Sequence, residues 1–226
     1  MSPENLRIDR IAASSVRLTL DRPAKRNALS TALREEVCDA LDALAADESV
    51  KSVVLTGAGE VFSAGFDLGE FRRAAEDPGF SRALWASSDR FHRTLLGFPL
   101  PLLAAVNGPA LAGGFDLAVC CDVRIASETA RFAHPEFTFA DVVYSPLHDL
   151  VGGAVARDLC LTGRTLDARE ALALGLVSEV VVPDALEEAV LRVVSRIETA
   201  PRDRLRRTKA KAISRAAIAV GATLDL

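Results

Sequence analysis

Two short apolar segments, each ending in glycine, constrain the fold of this chain more than any other feature. SVKSVVLTG (49–57) and PLLAAVNG (101–108) are typical of buried strands, because each is short, rich in aliphatic residues and closed by a turn signal. SVRLTL, DVRIAS and VSEVVV show the same character. Helical patterns separate these strands, without a linker or low-complexity stretch. The alternation predicts one α/β domain with a helical C-terminus.

The helices of the N-terminal half are marked by caps and by apolar spacing. Ser30 can cap a helix whose apolar face has spacings of four, four and three, formed by Leu33, Val37, Leu41 and Leu44. The segment 59–71 is predicted to be a loop that leads into a helix. A second apolar face, over 80–97, is formed by Leu84, Phe91 and Leu95. FDLAVCC (115–121) is predicted to be a short helix.

Capping signals also define the helices of the C-terminal half. Ser145 followed by proline predicts a helix start with a capping hydroxyl. Asp167 and Glu170 have the spacing of a capping box, for a helix that ends at Gly175. A charged amphipathic helix is predicted over 183–199, and a basic helix over 202–218.

Composition excludes several classes of protein. Half of the 226 residues are hydrophobic and 26% are charged, as in ordinary globular proteins. No run of 18 apolar residues exists, so no membrane span is expected. A net charge of −4 argues against general nucleic-acid binding.

The cellular compartment is predicted from the N-terminus and the cysteines. MSPENLRIDR carries charges and has no apolar signal core. The four cysteines have no C-x-x-C spacing, which favours reduced, mostly buried thiols in the cytoplasm. No ligand cluster for a metal is evident, and His134 and His148 are expected to make structural hydrogen bonds.

The glycines after the first buried strand raise the alternative of dinucleotide binding. Gly57 and Gly59 follow that strand as in a Rossmann turn, but the third glycine position holds Phe62, which would block close packing of helix on strand. Walker, G-x-S-x-G and H-E-x-x-H motifs are absent from the sequence.

A different chemistry accounts for both glycine-bearing loops. A thioester attacked near its carbonyl group develops negative charge on the carbonyl oxygen, which two backbone N–H groups can stabilise. Gly113 and Gly114 stand where a strand gives way to a helix, so they supply one donor site beside the helix N-terminus. The loop FSAGFDL (62–68), which also follows a strand, could supply the second donor.

The chain resembles the crotonase, or enoyl-CoA hydratase/isomerase, superfamily. The resemblance rests on five ordered motifs: RPAKRNALS, VFSAGFDL, NGPALAGGFDLAVCCDVRIAS, ARFAHPE and LTGR. It implies a crotonase-type spiral of repeated ββα units with a short helical C-terminal part. The expected division is a core domain over 1–195 and a truncated helical region over 196–226. The resemblance also implies a homotrimer or hexamer.

The resemblance assigns the oxyanion hole and the coenzyme A site. The N–H groups of Phe66 and Gly113 match the family's oxyanion donors. The substrate would be an acyl-CoA thioester, and no cofactor is expected, because coenzyme A is part of the substrate. Six residues are expected to bind it: Lys25, Arg26, Ala28, Ala64, Asp67 and Leu68. Basic groups among them would suit its phosphates.

The two glutamates of the family's hydratases correspond to Asp116 and Glu136. One would take a proton from water and the other would supply a proton to the α-carbon. An aspartate–glutamate pair is also similar to the family's dienoyl-CoA isomerases, but their third acidic position falls on Tyr144. Hydration of an enoyl-CoA is therefore the predicted reaction, with double-bond isomerisation as an alternative.

The loop after Glu136 departs from the family's Pro/Gly-rich pattern. FTFADVVYSPLHDLVGG (137–153) introduces Asp141, Tyr144 and His148 where small residues are expected beside the acyl group. These three are candidate acyl-pocket residues. The chain also ends at ATLDL, where many relatives continue, so a reduced lid is expected. A catalytically silent crotonase-like partner protein is the alternative from another functional class.

Overall fold

The computed structural model describes residues 3–215 of the chain. Within that range it contains nine strands: β1 (Leu6–Ala12), β2 (Ser15–Leu20), β3 (Ser52–Gly57), β4 (Leu102–Val106), β5 (Ala110–Leu111), β6 (Val123–Ser127), β7 (Arg131–Ala133), β8 (Leu166–Asp167) and β9 (Glu179–Val181). The same range contains eight α-helices: α1 (Thr31–Ala46), α2 (Leu68–Glu76), α3 (Pro78–Gly97), α4 (Gly113–Val119), α5 (Ser145–Thr162), α6 (Ala168–Ala173), α7 (Leu186–Glu198) and α8 (Arg202–Arg215).

The strands form two sheets. The larger sheet has the order β1-β2-β3-β4-β6-β9, in which only the β1–β2 pair is antiparallel. The smaller sheet has the order β5-β7-β8. Parallel neighbours such as β4 and β6, in which Leu103 pairs with Val123, require a crossover through a helix. This topology places strand ends and helix starts together at one edge, where the candidate site lies.

The chain repeats a ββα unit. In the unit β4-β5-α4 the first strand joins the larger sheet and the second joins the smaller sheet. The unit β6-β7-α5 repeats this arrangement one turn later, with β7 parallel to β5. The predicted α/β fold with a spiral of ββα units is therefore confirmed, together with a helical C-terminal part.

Both faces of the larger sheet are covered, which explains the continuous apolar runs. Along β3, Val53 and Leu55 pack in the core that contains α1 and α3. Val54 packs on the opposite face with Leu103, against Ala189 and its neighbours on α7. Successive side chains of a strand point to opposite faces, so a strand covered on both faces must be apolar at every position.

Most predicted element boundaries agree with the structure, and one cap is wrong. The Ser30 side chain accepts a hydrogen bond from the Leu33 N–H, as expected of an N-cap. Asp167 accepts one from the Glu170 N–H. Helix α5 does begin at Ser145, but its N-cap is Tyr144, and no side chain caps the helix. Because Ser145 is already helical, its hydroxyl does not have the extended N-cap geometry that capping requires.

Strand β1 is an element that the sequence patterns did not predict. Leu6 is its one buried residue, and Arg7–Arg10 are exposed, so the strand shows neither an apolar run nor clean alternation. It lies at the edge of the larger sheet and pairs with β2 alone. The strand therefore forms through backbone pairing to β2, with little burial of its own side chains.

The last described helix is fastened to the core by basic residues. Arg202 donates hydrogen bonds to the carbonyl oxygens of Val50 and Ala45, both at 2.8 Å. Lys209 is buried and pairs with Asp122, which follows α4. The end of the predicted 202–218 helix and the rest of the predicted C-terminal region, 216–226, lie outside the described residues. The boundary predicted between 195 and 196 falls within α7 and stays a prediction.

The described residues bear on two predictions from the sequence, which concern membrane spans and the cysteines. No helix among them is both long enough and apolar enough to cross a membrane. All four cysteines are buried and free, as the sequence predicted. Burial raises the pKa of Cys38 to about 11, so this thiol is held in its neutral form.

Candidate active site

Three separate segments of the chain meet at the candidate site. The Ala64 N–H donates to the Arg26 carbonyl at 3.0 Å, and the Leu29 N–H donates to the Gly65 carbonyl at 2.8 Å. On the other side of the same loop, the Leu111 N–H donates to the Ser63 carbonyl at 2.9 Å. The segments 26–29, 62–68 and 110–116 therefore form one backbone-bonded unit at the start of α4.

Glycine is required at two positions because the backbone segments approach so closely. A Cβ atom on Gly113 would lie 2.6 Å from Cδ1 of the Phe66 ring. A Cβ atom on Gly114 would lie 2.4 Å from the Ser63 carbonyl oxygen. Both distances are far below a normal contact. The glycine pair therefore allows α4 to begin directly against the loop that carries Phe66.

The backbone N–H groups of Phe66 and Gly113 are both without an acceptor among residues 3–215. The N–H of Gly113 belongs to the first turn of α4, where no intrahelical partner exists. Just before it, Ala112 has φ 51° and ψ −131°, a conformation that strains any residue with a side chain. The Ala112 N–H is held by the Ala133 carbonyl at 2.9 Å, which fixes the start of the helix.

The two predicted catalytic carboxylates lie in the same cavity. Asp116 projects from the first turn of α4, and Glu136 lies in the 3-10 turn Pro135–Thr138 after β7. Both are buried, with exposed fractions of 6% and 9%. Asp116 Oδ1 and Glu136 Oε2 have no hydrogen-bond partner among the described residues. Each carboxylate thus has one buried oxygen atom without a partner, and both residues line the cavity.

Burial controls the protonation of Asp116. It raises the pKa of that carboxyl to about 7, and the negative charge of Glu136 adds to the increase, while His134 opposes it. A carboxyl group with a pKa near 7 can both take and give a proton at neutral pH, as general acid–base catalysis requires. Strongly perturbed groups in a cavity are typical of active sites.

His134 is a member of the site that the sequence patterns did not assign to it. Its Nδ1 lies 3.0 Å from Glu136 Oε1 and 3.7 Å from Asp116 Oδ1. The side chain is fully buried, and its ring lies 4.8 Å from that of Phe115. The signal in the sequence was its place two residues before Glu136 in the ARFAHPE motif.

The cavity has a volume of about 260 Å³ and a largely apolar wall. Its lining includes the oxyanion candidates and both carboxylates, together with aromatic and aliphatic side chains: Leu68, Phe71, Trp85, Phe139, Val142 and Val143. Two other cavities, of about 770 and 670 Å³, lie along α8 and contain neither carboxylate. The cavity of about 260 Å³ is therefore the one that contains the candidate catalytic groups.

The residues predicted to bind coenzyme A divide between this cavity and its surroundings. Ala64 and Leu68 line the cavity. Lys25 and Arg26 are exposed beside it, in the turn that includes Ala28. Asp67 caps α2 through the Gly69 N–H at 2.9 Å and pairs with the Arg22 guanidinium at 3.1 Å, outside the cavity wall. These contacts give Asp67 a structural role in holding the loop.

The three residues predicted for the acyl pocket are not all at the cavity. Asp141 lines it. Tyr144 and His148 lie outside its wall, at the start of α5, with their rings 5.5 Å apart. His148 is exposed, and its Nδ1 lies 3.5 Å from Asp149. A pocket role for Tyr144 and His148 stays a prediction, without a contact to this cavity.

Arg34 packs against the loop that carries Phe66. The sequence patterns did not predict this role. Its fully buried guanidinium donates to the Leu29 carbonyl at 2.6 Å and the Leu84 carbonyl at 3.3 Å. It also lies 4.3 Å from the centre of the Phe66 ring. Burial lowers the pKa of Arg34 to about 10, although the negative charge of Glu70 opposes this. The guanidinium therefore stays protonated at neutral pH and joins α1, α3 and the oxyanion loop.

Replacing Arg34 by methionine is expected to reduce the free energy of unfolding by about 2–4 kcal/mol, because its buried hydrogen bonds to the Leu29 carbonyl and the Ser87 hydroxyl are lost. Chemical denaturation would measure this change. The matched control is Arg90→Met, since Arg90 also joins α3 to α1, through exposed pairs with Glu35, Asp39 and Asp42. The Arg90→Met variant should lose about 1 kcal/mol or less of its free energy of unfolding. Equal losses for the two variants would contradict the role given to Arg34.

Comparison with known proteins identifies the family. The model of the enoyl-CoA hydratase/isomerase family matches residues 10–223. The chain belongs to that family. The match spans every residue of the candidate site, and the resemblance to the crotonase superfamily is thereby confirmed. Within the described residues, no group of three or more histidine, cysteine or acidic side chains could hold a metal ion.

Individual members of the enoyl-CoA hydratase/isomerase family support the assignment. The 2,3-dehydroadipyl-CoA hydratase of Escherichia coli is 38% identical over 187 residues, which cover 80% of this chain and 71% of that protein. The short-chain-enoyl-CoA hydratase of Clostridium acetobutylicum is 36% identical and covers 80% of this chain and 70% of that protein. The crystal structure of an enoyl-CoA hydratase from Bacillus anthracis has a TM-score of 0.87 and 34% identity, covering 94% of this chain and 83% of that one.

Proposed function

We propose that this protein is an enoyl-CoA hydratase, which adds water across the double bond of a 2-enoyl-CoA thioester. The observation that carries the proposal is the convergence of two buried carboxylates and two unpartnered backbone N–H groups on one cavity. Hydratases of the same family, at 36–38% identity, support the same reaction.

In this proposal the N–H groups of Phe66 and Gly113 bind the thioester carbonyl oxygen. Negative charge develops on that oxygen as the enolate forms, and donors fixed in advance stabilise it. The positive end of the α4 dipole lies at Gly113 and adds to this stabilisation. The oxyanion hole activates the double bond for attack at the β-carbon.

The two carboxylates move the protons. As the oxygen atom of water bonds to the β-carbon, one carboxylate takes a proton from that water. The other carboxyl group gives a proton to the α-carbon, so the product contains all the atoms of one water molecule. Asp116 and Glu136 both fit these roles, because both line the cavity that also holds Phe66 and Gly113.

The remaining binding roles follow from position. The exposed basic groups of Lys25 and Arg26 suit the phosphates of coenzyme A. Ala28 lies in the same turn, and Ala64 and Leu68 line the cavity that contains the carboxylates. Asp67 acts on this end of the site indirectly, through its cap on α2 and its ion pair with Arg22.

Double-bond isomerisation is the second candidate function. It would use the same oxyanion hole, but a proton would leave one carbon and another would be added elsewhere, with no water added. The observation in its favour is a third carboxylate, Asp141, at the wall of the cavity. The family position for that third carboxylate is occupied by Tyr144, which lies outside the cavity, so hydration is preferred.

Isotopic labelling with a panel of 2-enoyl-CoA thioesters tests the proposal. In heavy water that also carries ¹⁸O, a hydratase is expected to place deuterium at the α-carbon and labelled oxygen at the β-carbon. Mass spectrometry of the products would measure both labels. Deuterium without labelled oxygen would assign isomerase activity instead. Neither label with any substrate would favour the catalytically silent partner protein.

Assembly and location complete the proposal. The family resemblance supports a homotrimer or a hexamer. The sequence supports a cytoplasmic protein, because its four cysteines are free and buried in the fold.

A further inference from the structure

His134 places one imidazole against both carboxylates of the candidate site. It follows β7, Asp116 comes from α4, and Glu136 lies in the next turn, so three short elements converge on this ring. The Nδ1 atom is within hydrogen-bond distance of Glu136 Oε1, at 3.0 Å, and lies 3.7 Å from Asp116 Oδ1. Because ionised carboxylates only accept hydrogen bonds, this geometry requires a proton on Nδ1 when Glu136 is charged.

Among the described residues, neither Asp116 nor Glu136 forms an ion pair with a lysine or an arginine. The thiols of Cys120 and Cys160 are the other titratable groups that face the pair, and burial raises the pKa of each, so both are neutral at pH 7. An isolated charge in such a buried site is costly, and a pair of like charges costs more.

We propose that His134 is a positively charged positioning residue, whose imidazolium holds Glu136 in place and offsets the charge of the ionised carboxylate. The reaction needs one carboxylate and one protonated carboxyl group. With the imidazolium, these three side chains have no net charge, although the added proton on Nε2 has no acceptor among the described residues. Burial alone would lower the pKa of His134, but the hydrogen bond to Glu136 and both negative charges together raise it.

The charge of His134 can be measured without any turnover. The chain has three histidines, and the ring ¹⁵N signals that disappear in His134→Asn identify those of His134. In the full-length protein, these signals are expected to show protonation of both ring nitrogens at pH 7. The control is Glu136→Gln, in which His134 should lose its second proton at a lower pH. A neutral His134 ring at pH 7 in the parent protein would overturn the proposal.

A kinetic experiment separates positioning from charge and rests on the proposed function. His134→Asn keeps a donor near the Nδ1 position but cannot be charged, whereas His134→Leu removes both properties. For the asparagine variant we expect kcat to fall about tenfold or more, with KM within about twofold of the parent value. The acid limb of its pH profile should move up by about one pH unit, because a nearby cation favours the ionised carboxylate.

A merely structural role for His134 would lower the folded fraction without moving the acid limb. Circular dichroism would therefore accompany both variants, and the asparagine variant decides the question if the leucine variant does not fold. An unchanged pH profile in His134→Asn would contradict the proposal. If the parent protein hydrates no enoyl-CoA, the proposed function fails, and the ¹⁵N titration still decides the charge of His134.

Discussion

Replacing Glu136 by glutamine, or Asp116 by asparagine, is expected to remove most turnover while leaving acyl-CoA binding close to the parent value. Each replacement keeps the shape of the side chain but removes a group that can take or give a proton. A positioned general acid or base contributes about a hundredfold to ten-thousandfold in rate. The measurements are kcat for hydration and calorimetric titration with an acyl-CoA product.

Exposed acidic residues provide the matched controls for this pair. Glu128→Gln and Asp184→Asn make the same chemical changes at exposed positions away from the cavity, and both variants should keep the parent rate. If Glu136→Gln and Asp116→Asn also keep the parent rate, the two carboxylates are structural. Proton transfer would then have to pass to another group at the cavity wall, of which Asp141 is the first to test.

The Asp116→Asn variant is also expected to change how the free energy of unfolding depends on pH. Since burial raises the pKa of Asp116 from 3.8 to about 7, its stabilising contribution is complete below pH 3.8 and is lost as the pH rises through 7. His134, whose pKa is also raised, loses its contribution in the same direction. The parent should therefore have a lower free energy of unfolding at pH 8 than at pH 5, and the variant should show a smaller decrease.

The interior of the larger sheet was predictable because both of its faces are covered. Val53, Val54 and Leu55 alternate between two cores, so the segment is apolar at every position and stands out in the sequence. The helix of Ser30 was predictable for a similar reason, since its cap and its apolar spacing are local features.

Features that depend on distant partners could not be predicted in this way. Strand β1 gains its order from pairing with β2, and its exposed Arg7–Arg10 segment carries no periodic pattern. Arg34 looks like a surface residue of an amphipathic helix, yet it donates to the Leu84 carbonyl, 50 positions away along the chain. Such contacts become visible only when the segments are placed together in space.

In the candidate site, too, local features were predictable from the sequence and features that depend on distant partners were not. Asp116 and Glu136 were identified from motifs that include the glycines and the proline around them, and the structure brings both to one cavity. His134 was interpreted as a residue that makes structural hydrogen bonds, because no ligand cluster for a metal is evident in the sequence. Its contact with Glu136 lies within one short motif, but its approach to Asp116 depends on the return of the chain from α4 to β7.

The second large effect is expected at Gly113. Proline at this position removes the backbone N–H, and the first residue of a helix is where proline is otherwise tolerated. If this N–H binds the thioester oxygen, Gly113→Pro should reduce kcat by about a hundredfold or more. The comparison needs a control, because any side chain here also approaches the Phe66 ring.

Gly113→Ala supplies that control, since both variants place a Cβ atom 2.6 Å from Cδ1 of Phe66 unless the ring moves. The alanine variant keeps the N–H, so the ratio of the two rates isolates the donor from the steric effect. Both proteins would be compared at equal folded fraction, with kcat and KM measured on the same enoyl-CoA. A proline variant as active as the alanine variant would show that the Gly113 N–H does not stabilise the enolate. The oxyanion donor would then have to be sought at Phe66 and its neighbours in the same loop.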